Sequence, residues 1–228
     1  MDASPKWIRR GGLAAMLGGI VGILYSPLYA LAYFATEDGA ESLEAPWVAA
    51  WAGAVRPALE PLLTFAPPEV VYLTYGKLFS FMVLGWMAGL LALHARQAAS
   101  AGRLEKWGFR LAFAGTVLGT LGGIGAYWIG SVWRGAADFS FVAFLVPMLL
   151  LVGVGFPLFG IGTLRAKAAS RPGAWLLIVG GLPGMILLNI LLGQLTLALL
   201  PINLAWVVLG YSLFSEKAVP ARQAAHAG

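Results

Sequence analysis

The sequence predicts an all-α integral membrane protein: six transmembrane helices in three hairpins, both termini cytoplasmic, and an outer interfacial amphipathic segment between helices 1 and 2. Three observations predict it. First, 60% of the 228 residues are hydrophobic and only 11% are charged, against about 45–50% and about 25% in an ordinary soluble domain. So few polar groups cannot cover a surface facing water, whereas lipid suits such a surface. Second, the charged residues bracket long uncharged runs, each at or above the roughly 20 residues that cross a bilayer core. Third, the basic residues fall on alternate connections, as positive charge does on the cytoplasmic side of a membrane protein.

Helix 1 is expected over Gly11–Thr36, 26 uncharged residues behind Lys6, Arg9 and Arg10. Ala30-Leu31-Ala32 resembles a signal-peptidase site, but a signal peptide's apolar region is only about 7–15 residues long, so an uncleaved anchor is expected. An acidic stretch follows (Glu37, Asp38, Glu41, Glu44), then the fairly apolar Pro46–Ala66. This second stretch holds Arg56 and Glu60 centrally, at about 2.5–3.5 kcal/mol each on the insertion scale, and Pro57 and Pro61, which break helix hydrogen bonds. It is therefore read as a short element lying on the outer surface, with Trp47 and Trp51 at headgroup level.

Helix 2 ends at His94-Ala95-Arg96, and a basic loop (Arg103, Lys106 and Arg110 against one acid, Glu105) leads to helix 3 over Leu111–Trp133. A short connection, Arg134 to Asp138, precedes helix 4 over Phe139–Leu164. The 44 uncharged residues from Pro172 to Ser215 are too many for one span and suit two. Helix 5 is placed near Gly173–Leu192, a tight turn at Gly193-Gln194, and helix 6 near Leu197–Phe214. With the termini inside, twelve basic residues lie inside and three (Arg56, Lys77, Arg134) outside. Residues 1–215 are thus one transmembrane domain, with 37–68 extracytoplasmic and 216–228 a polar cytoplasmic tail. The expected location is the cell membrane, inner or plasma, of a bacterium, with a Gly, Ala and Leu content that a GC-rich genome would encode.

Helices 1, 3 and 5 each begin with a basic residue near a tryptophan: Lys6-Trp7, Lys106-Trp107, and Arg171 with Trp175. This hints at three related hairpins, although interfacial anchoring alone demands the same pattern. Small residues recur every fourth position at Ala14, Gly18, Gly22 and at Gly115, Gly119, Gly123. Such spacing gives a flat groove for a neighbouring helix, either within the chain or in a homo-oligomer or a membrane-complex partner.

Several chemistries are excluded by composition. With no cysteine, disulfides, thiolate metal sites and thiol redox catalysis are ruled out. Two histidines, one of them in the tail, do not suit a bis-histidine haem. No HExxH or GxSxG pattern is present, and no Asp or Glu falls in any expected span. No cofactor, metal or nucleic-acid partner is expected; the lipid bilayer is.

Three features remain as candidates for function. Gly180-Gly181-Leu182-Pro183-Gly184 should kink helix 5, and with Asn189, Gln194 and Asn203 it forms a candidate polar site on an interrupted helix. Lys77 sits at the start of helix 2, where an intramembrane charge is a functional candidate. Yet Leu78–Ala95 is 18 residues, or about 27 Å, nearly a full crossing, which favours an interfacial Lys77 with Tyr72 and Tyr75 as outer-belt aromatics. Arg56, Glu60 and Glu69, with Lys77, are the candidates for an outer-leaflet site. The expected function is that of a non-catalytic membrane protein, a small transporter or channel-like protomer or a subunit of a membrane complex. The alternative is a membrane-embedded enzyme acting on lipid or another amphiphile at the outer leaflet.

Overall fold

A computed structural model describes residues 5–215; the expected polar tail, with Lys217 and Arg222, lies outside the described residues. The described residues are helical throughout the regular elements, with no strand among them. Four helical stretches are long and apolar enough to cross a membrane: Lys6–Tyr33, Pro68–Ser100, Arg103–Ile129 and Arg134–Ala166. A fifth follows if a bent pair of helices is counted as one.

Helix α1 (Pro5–Tyr33) is followed by a 3-10 turn (Ala40–Glu44) and by α2 (Pro46–Leu63). Helix α3 spans Pro68–Gln97, and α4 (Arg103–Gly123) runs on into a π-helical segment, Ile124–Ile129. Helix α5 (Arg134–Ser140), a second π segment (Phe141–Leu145) and α6 (Val146–Ala166) form one continuous rod. Helices α7 (Arg171–Val179) and α8 (Leu182–Leu192) are bent by 69° to each other, and the single turn α9 (Leu195–Ala198) precedes α10 (Leu200–Ser215).

Helices α1, α3, α4, α6, α7 and α10 each pack on the next, and α10 closes the ring against α1. Neighbours along the chain run antiparallel: a Cβ at Gly11 would meet Ala92, one at Gly18 would meet Gly85, and Tyr29 lies against Tyr72. This gathers Arg9, Arg96, Arg103, Arg165 and Arg171 at one end, hereafter the basic end. Asp38, Glu69 and Asp138 lie at the other, the acidic end. In lipid, helices associate through close contact rather than through a hydrophobic drive, and the small-residue faces serve this purpose within the chain. A Cβ at Gly115 would press on Val152, one at Gly119 on Met148, and one at Gly22 on the side chain of Asn203. The middle of the ring is filled by Trp86, Phe156 and Trp206, all fully buried, with Phe156 edge-on to both indoles at 5.7 and 5.5 Å.

Some boundaries differ from expectation for identifiable reasons. Pro57 and Pro61 do not break α2, which runs unbroken through both; the prolines fall four apart on an exposed side, where missing amides leave few groups to satisfy. Helix α2 buries only Val48 and Ala52, which pack with Ala30, Leu31, Phe34 and Leu197. The Arg134–Asp138 connection is itself helical, and the chain reverses instead at Gly130–Trp133. The helix-5 kink is a true break: α7 ends at Gly180 and α8 starts after the extended Gly181, with Pro183 in its first turn. The tight turn stands where expected, because α8 ends on Gly193 with φ +71°, a left-handed cap suited to glycine. Glu105, expected in a loop, is inside α4 and only 1% exposed.

Candidate functional site

The acidic end of the ring is hollow. Two adjoining cavities of about 470 and about 570 Å³ share Tyr33, Asp38, Tyr72, Tyr127, Phe141 and Leu145 in their walls. Both fall within the roughly 300–1,000 Å³ of small-molecule sites. The smaller is the mouth, with Asp38, Glu69, Arg134 and Asp138 around it, all exposed. The larger reaches deeper, to the apolar side chains of Phe79, Met148 and Leu199, and to Asn189 and Gln194 on the far wall.

Tyrosines separate mouth from depth. The α1 residues Tyr25, Tyr29 and Tyr33 follow one helix face at four-residue spacing, and Tyr29 is 3% exposed. The Tyr29 hydroxyl donates to the Tyr72 hydroxyl at 2.8 Å. The Tyr127 hydroxyl lies 2.6 Å from Tyr29; since Tyr29 has one proton and gives it to Tyr72, Tyr127 is the donor there. The Tyr72 and Tyr127 side chains are hydrogen-bonded as well, so the three hydroxyls satisfy one another, and Tyr72 lines both cavities. Ring centroids of Tyr29 and Tyr33 lie 4.8 and 5.5 Å from that of Tyr72.

Tyr127 is carried by the first π segment and Phe141 and Leu145 by the second. The first π segment packs on α5 where Gly125 faces Ser140, so closely that a Cβ on Gly125 would overlap the Ser140 hydroxyl. A π turn is rare and found mostly at functional sites; here it turns Tyr127 inward by widening a helix that would otherwise continue straight.

The eight sequence candidates are brought only partly together. Asn189 and Gln194 line the deep cavity and Glu69 the adjoining mouth. Gln194 caps α9, its Oε1 accepting from the backbone N–H and, at 2.8 Å, from the hydroxyl of Thr196. Asn203 lies below the cavity, fully buried, and accepts from Trp86 Nε1 at 3.1 Å. Pro183 is exposed on the outside of the break rather than in the cavity. Arg56 and Glu60 line a separate hollow of about 240 Å³, where Arg56 donates to the Leu31 carbonyl at 3.2 Å. Lys77 lines none of these cavities; its ammonium lies 5.4 Å from the centre of the exposed Trp128 ring. Such exposed contacts contribute about 0.5–1 kcal/mol. Lys77→Met is therefore expected to leave the thermal midpoint in detergent nearly unchanged; a collapse of the folded fraction would show that the lysine is a buried partner.

Sequence reasoning missed a cluster at the basic end. Glu105 Oε1 lies 2.6 Å from His94 Nδ1 and accepts from Gln97 Nε2 at 3.0 Å, while the His94 ring stacks on Phe109 at 3.8 Å. Tyr29 and Tyr127 were missed as well, although the Tyr25, Tyr29, Tyr33 spacing is a visible signal.

Fold, composition and cavity together define an all-helical, multi-pass membrane protein with a solute-sized chamber at one end. A scan of protein-family models, a search of curated proteins and a search of solved structures each returned no match to the chain.

Proposed function

We propose that this chain is a small membrane carrier protomer, caught open to the outside. On this reading the chain crosses the cell membrane six times, with the bent α7–α8 pair as the fifth crossing and α10 as the sixth. Helix α10 has 16 residues, about 24 Å, so it starts below the membrane surface, under the α9 turn. The basic end faces the cytoplasm by the positive-inside bias, and the acidic end with its chamber faces out.

The observation that carries this reading is one-sided access. The chamber opens past Asp38, Glu69 and Asp138 and descends to Phe79, Met148 and Leu199. Below it lie fully buried Trp86, Phe156, Trp206 and Asn203. One wall is the interrupted helix, whose 69° bend brings Asn189 and Gln194 to the chamber, the construction expected of binding sites that alternate in access. An outer-leaflet enzyme built on Arg56, Glu60, Glu69 and Lys77 would need them around one substrate, and they lie in three separate places.

The chain has no cysteine, so single cysteines report access directly. Leu195→Cys, in the deep wall, is expected to react with a membrane-impermeant maleimide added outside intact cells. Reaction only from the cytoplasmic side, or from neither side, would overturn the reading.

A further inference from the structure

We propose that the chamber binds an organic ammonium ion whose apolar body carries a neutral hydrogen-bonding group. This rests on the chamber being open to water from outside, as in the carrier reading.

Charge sets the sign of the ligand. Three carboxylates and one guanidinium ring the mouth, a net formal charge of −2, and Asp38 borders both cavities. None of the three carboxylates has an ion-pair partner among the described residues. A mouth of one sign above low-dielectric walls concentrates the opposite ion. A bare metal ion does not fit, because among the described residues no group of three or more acidic or histidine side chains is placed to hold one.

The walls set the chemistry of the cation. Tyr29, Tyr33, Tyr72 and Tyr127 line the deep cavity, and aromatic faces attract alkylammonium groups that are already poorly hydrated. A strongly hydrated small cation would lose its water shell with too few oxygens to replace it. Beneath the tyrosines, Phe79, Met148 and Leu199 form an apolar surface for the body of the ligand.

The far wall sets the third feature. Gln194 is only 9% exposed and lines the deep cavity. Its Oε1 is occupied by Thr196, but its amide nitrogen has no protein acceptor among the described residues. The Asn189 side chain is likewise unpartnered and lines the same wall. These two amide donors, left for the contents of the chamber to satisfy, suit an ester, ether or hydroxyl oxygen on the ligand. The ammonium can belong to a free solute or to the headgroup of a choline lipid.

The test uses the full chain with Ser42→Cys, a near-isosteric reporter on the chamber wall, reconstituted in phosphatidylglycerol vesicles. Benzoylcholine is expected to slow maleimide labelling of this cysteine in a saturable way. Its neutral isostere 3,3-dimethylbutyl benzoate, with carbon in place of the charged nitrogen, is expected not to. Asp38→Asn should raise the half-protecting concentration about tenfold, the scale of one desolvated cation contact, with protection read against the unprotected labelling rate of that same variant. Slower labelling on admixing phosphatidylcholine, without added ligand, would make the headgroup the source; no such change would make it a free solute. Equal protection by both esters, protection by neither, or full affinity in the Asp38 variant would overturn the proposal. Labelling without protection would leave the carrier reading standing, whereas a cysteine inaccessible from outside would remove that reading first.

Discussion

Gly85→Leu is expected to abolish assembly of the bundle. A Cβ at Gly85 would lie 2.6 Å from the Gly18 Cα, 2.8 Å from the Ala14 carbonyl oxygen and 3.1 Å from the Gly18 nitrogen. All three obstacles are backbone atoms of α1, so no rotamer change relieves them and the helices must part. Overpacking against movable side chains costs about 1–3 kcal/mol; separating α1 from α3 should exceed that range. In lipid the loss is not recovered elsewhere, because contact between the helices is itself the attraction. The check is size-exclusion and thermal unfolding in mild detergent, where Gly85→Leu should yield aggregate or no folded peak. Gly53→Leu is the matched control, since a Cβ there meets nothing within 4 Å, and it should behave as the parent chain. A folded, parent-like Gly85→Leu would mean that α1 and α3 do not cross as described.

Glu105→Ala is expected to destabilise the basic end by about 3 kcal/mol, the scale for removing one partner of a buried charged hydrogen-bond pair. Glu105 and Gln97 are each 1% exposed, so Gln97 would lose its acceptor in a site that water enters poorly. His94 would lose the contact that holds its ring on Phe109. Helix α6 approaches so closely that a Cβ on Gly162 would press on Glu105, and truncation would therefore also leave a void between α4 and α6. Glu105→Gln keeps the volume and an acceptor oxygen and should fall between the two. The measurement is the unfolding midpoint in detergent; a Glu105→Ala protein as stable as the parent would show that the cluster is incidental.

Much of the architecture was legible because lipid imposes a coarse rule. Runs without charge had to be near a span in length, and Gly180-Gly181 with Pro183 had to interrupt whichever helix held them. The turn at Gly193 followed from the same length argument. What misled the reading was local. Glu105 among basic residues looked like a solvated loop acid, although helix α4 starts two residues before it and Gly162 waits opposite. Pro57 and Pro61 looked like helix breakers, yet α2 carries them on an exposed side. Tyr72 was read as an interfacial belt residue, and only Tyr29, 43 positions before it, and Tyr127, 98 positions beyond Tyr29, make it the divider of a chamber.

By itself, the sequence determined the solvent of this protein, the order of its apolar segments, the position of the break between α7 and α8, and the charge asymmetry between its ends. These follow from composition and spacing along one chain, because a bilayer tests each segment separately for length and charge. Tertiary structure alone decided that the six candidate helices close into a ring, packed at its middle by Trp86, Phe156 and Trp206 and open at the acidic end. It also decided which polar groups meet, gathering Tyr29, Tyr72 and Tyr127 and joining Glu105 to His94, while holding Lys77, Arg56 and Pro183 apart from the chamber. Such meetings depend on helix rotation and on the bend of α8 away from α7. Rotation is set by which small residues face which neighbours, a property of pairs of helices that no single segment carries.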